Sequence, residues 1–552
     1  TGEGGIRVEN GAHLTLTSAV QDYAGETTVK ADSTLVYGAA GTVSQSSKLT
    51  VEAGGTLQGG VSLAAENSDV AFASGSTFVF TGEAIRFTGT AEKTGDAAGT
   101  IAVKLDADAL TERGKRLALF EDVSGEGGNK ITFEDISISS DASLSYFKDA
   151  GNTENGLALY IVAPDLANAG VSLHEGISSA FVAKLNEITQ TTDGDLNVAA
   201  GTAAYRLAET IIKTPNGSLS AALTNLSPLS YGAMLALPQS GFLSDVATIS
   251  ARIEQRRYDN YSSFIWETKN DWEYFVQGQG MFAEADEGAT DTRTFDMNTY
   301  GVVAGADVKL DAFSVAGFAV ACDYGKADIH AGGGDIEAYD FRATAFYGKL
   351  IAERFYLDTG AQMGFATYDV KRNTPLGTVD GDATGVHAGA FANFGMLIPL
   401  MLSEDETVGL NLMPCVGLAY SYYNIGSFDE SGADTALDTD SFDANSLRAS
   451  IGASLALTFP CFEKAARLNL DVAYSRELLD AEADIDYAMP AVFGGEKFSA
   501  EAPAFTEDTF SIGPRFSIDL DRSSSVYAGY RFDFSTDSDT AHSVNIGFRS
   551  RF

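Results

Sequence analysis

The side chains best suited to covalent or metal chemistry are sparse in this 552-residue chain. Its five histidines, His13, His174, His330, His387 and His542, have no Gly-x-Ser-x-Gly elbow to serve, because the chain lacks one. Neither an H-E-x-x-H pair nor a P-loop is present. The glycines at 332–334 precede no helical pattern, so they do not read as a phosphate cradle. Cys322, Cys415 and Cys461 form neither a disulfide framework nor a zinc spacing. The stretch GSFDESGADTALDTDSFD (426–443) gathers Asp429, Glu430, Asp434, Asp438, Asp440 and Asp443 without a base. It lacks the EF-hand order and reads as a solvated outward face. No enzyme activity, cofactor or metal is expected within this chain.

Two other constellations point to assembly rather than catalysis. Arg252, Arg256 and Arg257 cluster at the end of GFLSDVATISARIEQRR (241–257), where Leu243, Val246, Ile249 and Ile253 form an apolar helical stripe. Cations there suit the helix dipole. The chain ends SVNIGFRSRF, with Val544, Ile546, Phe548 and Phe552 on one face of an extended strand. Asn545, Gly547, Arg549 and Arg551 fall on the other. Such a strand fits either a half-buried soluble sheet or a membrane barrel that is apolar outside and polar inside.

Composition narrows the partners. A net charge of −40 argues against nucleic acid and repels anionic lipid headgroups. Glycine is abundant (57) and proline scarce (11), as suits extended β-structure with many turns. No run approaches the roughly 18 apolar residues of a membrane-spanning helix. The opening TGEGGIRVEN has neither an initiator Met nor a signal-peptide pattern, so the numbering is expected to begin inside a longer precursor.

The elements that must carry these residues come in three kinds. At the front, RVENGAHL (7–14), TVKADSTL (28–35), TVEAGGTL (50–57) and AFASGSTF (71–78) repeat, their closing residues Leu14, Leu35, Leu57 and Phe78 lying 21, 22 and 21 apart. Each unit buries its apolar face only when stacked, which predicts rungs of a parallel β-helix. From Asp96 the repeat fades into IAVKLDADAL, LALFEDVSG and LALYIVAPD, strands suited to a capping section. A helical stretch follows. Phe181, Leu185 and Ile188 share one face, TAAYRLAETIIK (202–213) is helical, and Pro228 and Pro238 break the segment 219–238.

From Trp272 onward the chain divides into twelve long alternating segments, at about 272–283, 295–309, 313–329, 336–351, 354–371, 383–400, 407–424, 444–460, 466–478, 505–520, 523–535 and 541–552. Most reach the roughly 9–11 residues that cross a bilayer at a tilt. Leu468, Leu470, Val472 and Tyr474 alternate with Arg467, Asn469, Asp471 and Ala473; Val526, Ala528, Tyr530, Phe532 and Phe534 alternate with Tyr527, Gly529, Arg531 and Asp533. Short connections (310–312, 353–354, 403–406, 461–465, 521–522) alternate strictly with longer ones (284–294, 330–335, 373–383, 426–443, 479–504, 535–540). Sorting loops by length in this way is the layout of an outer-membrane barrel. The expected fold is all-β: a parallel β-helix segment, a short α-helical linker and a 12-stranded antiparallel transmembrane β-barrel.

This combination resembles the autotransporters, the type V secretion proteins of bacterial outer membranes. LTLTSAVQDYAGETTVKADSTL (14–35) resembles the family's passenger-associated repeat, and ALTNLSPLSYGAMLAL (222–237) the segment before its translocator. WEYFVQGQG (272–280) is similar to its first barrel strand, and Phe552 to its assembly signal. The resemblance implies passenger at 1–165, with its folding-seed part at about 80–165, a helical linker at 166–262 and a translocator barrel at 263–552. It implies that the barrel assembly machinery reads Val544, Ile546, Phe548 and Phe552, though Ser550 replaces the commoner apolar residue. Helix 241–257 is then expected inside the lumen, with Arg252, Arg256 and Arg257 facing carboxylates such as Glu273 or Asp471. Upstream residues would cross through that lumen to the cell surface, driven by folding outside rather than by ATP.

Some family members cut themselves at an Asn of this helix. Residues 241–257 contain none, the nearest being Asn260, so no Asn-mediated cleavage is expected. Asp245 reads as a solvated helix-start residue. The implied partners are outer-membrane lipid, the assembly machinery with periplasmic chaperones, and host or neighbouring cell surfaces, around a monomeric barrel. Two alternatives stay open: a surface-tethered adhesin, and a porin-like channel with a periplasmic N-terminal domain.

Overall fold

The computed structural model describes residues 4–106, 117–126, 128–140, 146–149, 155–162, 174–192, 195–214, 216–258, 272–285, 295–404, 407–462, 464–521, 523–536 and 539–551. The chain divides into two compact units: Thr1–Val171 with Val182–Ala222, and Ser172–Phe181 with Leu223–Phe552.

In the first unit the front repeat is a stack of parallel strands in three sheets. One sheet runs through Ile6–Val8, Thr27–Val29, Lys48–Val51, Asp69–Ala73 and Ala91–Thr94. The closing residues of the repeat stand in register: Leu14 opposite Leu35, Leu35 opposite Leu57, and Leu57 opposite Phe78. The ladder continues where the repeat fades, Phe78 lying opposite Val103 and Val103 opposite Ile138. Inside, Phe72, Phe78 and Phe120 meet with ring centroids 5.6 to 6.0 Å apart. The turn in each rung needs a left-handed residue, and positions Gly11, Asp32, Gly54 and Gly75 take φ of 73°, 59°, 77° and 83°. Only glycine and short polar residues adopt that conformation readily. Leu117–Asp122, Gly156–Val162 and Tyr146–Asp149 pair antiparallel and end the parallel stack.

The second unit is a closed antiparallel barrel of twelve long strands. They are Trp272–Glu284, Phe295–Asp311, Ser314–Ile329, Gly334–Ile351, Phe355–Thr374, Gly377–Met396, Gly409–Ile425, Phe442–Cys461, Lys464–Glu477, Asp508–Asp519, Ser524–Phe534 and Thr540–Arg551. The last pairs with the first, from Glu273 opposite Arg551 to Glu284 opposite Thr540. Alternation sends Val276, Val302, Val320, Met363, Ile451 and Ile546 outward, all exposed. Aromatic pairs lie among them, such as Phe341 with Phe365 (5.2 Å) and Phe355 with Phe394 (6.0 Å). An exposed apolar face of this extent belongs against hydrocarbon.

Several boundaries differ from the sequence reading. Phe355–Thr374 and Gly377–Met396 stay paired up to Thr374 opposite Gly377, so most of 373–383 is hairpin rather than loop. Ile329 opposite Gly334 closes the preceding hairpin in the same way. Polar side chains mark where a strand leaves the apolar belt, but its backbone groups still find partners across the ladder. The stretch 479–504 also folds, into the hairpin Glu482–Ala488 with Lys497–Pro503, against which Asp438–Thr439 pairs. The linker contains helices Ser179–Thr189, Ala203–Lys213 and Asn216–Thr224, with Phe181, Leu185 and Ile188 all buried. The last helix runs Ala233–Tyr258, eight residues longer at its start than expected and straight through Pro238.

Candidate functional site

Helix Ala233–Tyr258 fills part of the barrel lumen, and two chemistries hold it there. Ile249 and Ile253 pack with Phe275, Val303, Val315, Phe346 and Phe391 of the wall. Two glycines let the helix approach: a Cβ on Gly348 would lie 2.1 Å from Ile253 Cγ2, and one on Gly389 would lie 2.7 Å from the Phe242 ring. Pro238 cannot donate to the Met234 carbonyl four residues earlier. Tyr368 of the fifth strand replaces that donor, its hydroxyl donating to Met234 O at 2.7 Å.

The second chemistry is a ladder of buried ion pairs. At the helix end, Arg252 donates to Asp307 at 2.6 and 3.2 Å and also to Glu273. Arg256 meets the same two carboxylates, lying 2.8 Å from Asp307. Arg257 donates to Asp358 at 2.5 and 2.7 Å and lies over the Tyr356 ring at 3.9 Å. Higher up, Asp245 accepts from Arg342 at 2.7 and 3.2 Å and from Gln362 at 2.6 Å. Arg342 continues to Asp323 and to Asp340 (2.5 Å), and His387 Nε2 lies 2.8 Å from Asp340. A buried charge is tolerated when an opposite charge pairs with it, and these paired groups are within a few per cent of complete burial.

The sequence-predicted residues therefore divide. Arg252 and Arg256 stand with Glu273; Arg257 goes to Asp358 instead. Asp471 meets none of the three, a correction to the expected pairing. It accepts from Arg515 at 2.5 and 3.1 Å, and Arg515 bridges to Glu254 of the helix at 2.8 Å. The reason is angular: Glu254 lies on the opposite helix face from Arg252 and Arg256, and Asp471 lies on the ninth strand. Asp245 is also corrected. It is buried because the helix starts at Ala233, which places it inside the helix rather than at its exposed start. Glu430, read as solvated, is buried too, accepting from Arg372 Nε at 3.1 Å and from Tyr231.

Val544, Ile546 and Phe548 point outward and are exposed, while Asn545, Arg549 and Arg551 turn inward. Phe552 and Asn260 lie outside the described residues. Asp307, Arg342, Asp358, Arg372 and Arg515 were not anticipated. Their signal was a charge on the alternate face of a long apolar strand, with no means of telling which lumenal partner each would find.

Between the other helix face, with Leu243, Ala247, Ser250 and Glu254, and the wall carrying Ser450, Asn469 and Arg515, a cavity of about 530 Å³ remains. The helix thus narrows the lumen without filling it. This geometry can seat and hold a chain segment. Among the described residues, no group of three or more His, Cys, Asp or Glu side chains is placed to hold a metal.

Residues 274–531 match the family model of the autotransporter beta-domain. Solved structures similar to this chain include the translocator domain of the autotransporter NalP from Neisseria meningitidis, at 16% identity over 56% of this chain and 98% of that one, with a TM-score of 0.40. The beta domain of the Bordetella autotransporter BrkA is similar at 12% identity over 51% and 100%, TM-score 0.38. The transport unit of AIDA-I from Escherichia coli is similar at 10% identity over 55% and 98%, TM-score 0.36. No curated protein sequence matches the chain. Residues 274–531, which form most of this barrel, are thus identified as an autotransporter beta-domain.

Proposed function

We propose that this barrel anchors the chain in the bacterial outer membrane and delivers the β-helical N-terminal part to the cell surface through its own lumen. The observation that carries this reading is the direction of the lumenal helix. Its last turns sit at the short-turn end, where Arg257 meets Asp358 and Arg256 meets Asp307. Just before its start, Tyr231 meets Glu430 of the long connection 426–443. Residues upstream of Ala233 therefore leave the lumen at the long-loop end. There Ile177 bridges to Ala500, and Phe181 packs on Tyr487, Phe493 and Phe498 of the 479–504 region.

Each stacked rung would resist retreat, since unstacking re-exposes buried Leu, Val and Phe side chains at roughly 1.5–3 kcal/mol apiece. Folding outside then biases the crossing, in keeping with the lack of a nucleotide motif in the sequence. The barrel assembly machinery would recognise the last strand through Val544, Ile546, Phe548 and Phe552. The passenger would remain tethered as a surface segment, available for contact with host or neighbouring cells.

Protease shaving of intact cells tests the reading, with one tag near the N terminus and another in the 461–465 turn. Loss of the N-terminal tag with survival of the turn tag is expected. Protection of the N-terminal tag until the outer membrane is opened would instead support a porin-like channel with a periplasmic domain. Chain size before shaving reports whether the passenger is cleaved; an uncut chain is expected.

A further inference from the structure

We infer that Glu273 is a shared counter-ion that couples closure of the barrel seam to seating of the lumenal helix. The seam is where the first strand meets the last, and Glu273 stands directly opposite Arg551 across it. Arg551 Nε donates to Glu273 at 2.7 Å, and Arg549 of the same strand lies 3.9 Å away. Across the other neighbour, Glu273 stands directly opposite Asp307 of the second strand. Two carboxylates in facing positions repel, and these are almost completely buried, at 2% and 0% exposure.

What separates them in charge is the helix. Arg252 and Arg256 each form ion pairs with both Glu273 and Asp307. One carboxylate thus receives two guanidinium groups from the helix and two from the last strand, and its acidic neighbour Asp307 shares the same two helix arginines. Remove the helix, and Glu273 and Asp307 confront each other without those two guanidinium groups, while Arg551 and Arg549 still reach Glu273. Open the seam, and the helix arginines lose the wall position that orients Glu273. Each event favours the other through the same side chain, and such a linkage is reciprocal. Arg257 provides an internal contrast, since its partner Asp358 lies on the fifth strand, away from the seam.

The inference concerns the folded barrel and does not depend on whether the passenger is exported. Hydrogen exchange of the full chain in detergent micelles tests it in both directions. In an Arg252→Gln/Arg256→Gln variant, amides of Thr540–Arg551 should exchange at least about tenfold faster, while those of Gly377–Met396 stay unchanged. In an Arg551→Gln variant, amides of the last two helix turns, 251–258, should lose protection by a similar factor. Arg257→Gln should loosen the helix without accelerating the seam. If Arg551→Gln yields no folded barrel, Arg551→Lys, which keeps the charge but loses the forked bond, takes its place. Unchanged seam exchange in the helix variant, or unchanged helix exchange in the seam variant, overturns the coupling; so does a seam response to Arg257→Gln equal to that of Arg252→Gln/Arg256→Gln.

Discussion

Tyr368 shows what one hydroxyl does at a helix that carries a proline. Pro238 removes a donor, and the Met234 carbonyl would be buried without a partner but for the Tyr368 hydroxyl at 2.7 Å. Tyr368→Phe should therefore destabilise the barrel by about 1–3 kcal/mol, read as a lower temperature for the unfolded-band shift on cold gels. In a Pro238→Ala background the helix regains its own amide donor, and the same substitution should cost markedly less. Equal losses in both backgrounds would show that the hydroxyl acts elsewhere. A second residue-scale case lies in the β-helical unit. Burial opposes ionisation of Asp135, but Lys93 at 2.8 Å and the Thr132 amide and hydroxyl at 2.9 and 2.8 Å outweigh it. Its carboxyl is held below the ordinary range. The folded value being depressed, the stabilisation is present above the unfolded value, about 3.9, and is lost as pH falls through the folded value. Lys93→Met should lower the urea midpoint of the β-helical unit near neutral pH and flatten its further decline below about pH 3.9. A parallel acid limb in both proteins would rule the pair out as its source.

At the scale of elements, the regular features were the legible ones. Leu14, Leu35, Leu57 and Phe78 could be aligned because a rung repeats its turn chemistry, and the register of the stack follows that alignment. The barrel strands were legible because each must be apolar on one face along its whole membrane span. The helix start was not, because Pro238 normally ends a helix and the compensating hydroxyl lies 130 residues further along the chain. Hairpins beyond the belt were also hidden, since their composition is that of loops. The glycines of the wall were invisible for a related reason: a strand glycine reads as weakness until a helix is found against it. Gly348→Ala should push on Ile253, whose Cγ2 would lie 2.1 Å from the new Cβ, and destabilise the barrel by about 1–3 kcal/mol. Adding Ile253→Ala relieves the overlap, so the double variant should melt above Gly348→Ala alone. If the second substitution lowers the transition further, the helix is not pressed against that strand.

At the scale of the whole molecule, partner choice inside the lumen is what the chain order withholds. Arg252 and Arg256 find Glu273 close in sequence, whereas Arg515 joins Asp471 to Glu254 over a separation of 261 residues. Such partners are set by barrel closure, strand tilt and helix rotation together, and alternation alone gives only the face. The same geometry predicts a conductance. The helix is pinned to the second, fourth and fifth strands by Asp307, Arg342 and Asp358, leaving the cavity of about 530 Å³ on its other side. In planar bilayers the intact chain should therefore conduct weakly, and a chain lacking residues 233–258 should conduct several-fold more. Arg252→Gln/Arg256→Gln, which loosens the helix while leaving it in the lumen, should fall between the two and flicker. A large steady current from the intact chain, unchanged by the deletion, would mean that the helix does not occupy the lumen in the membrane, and the direction in which the upstream chain leaves the barrel would lose its support.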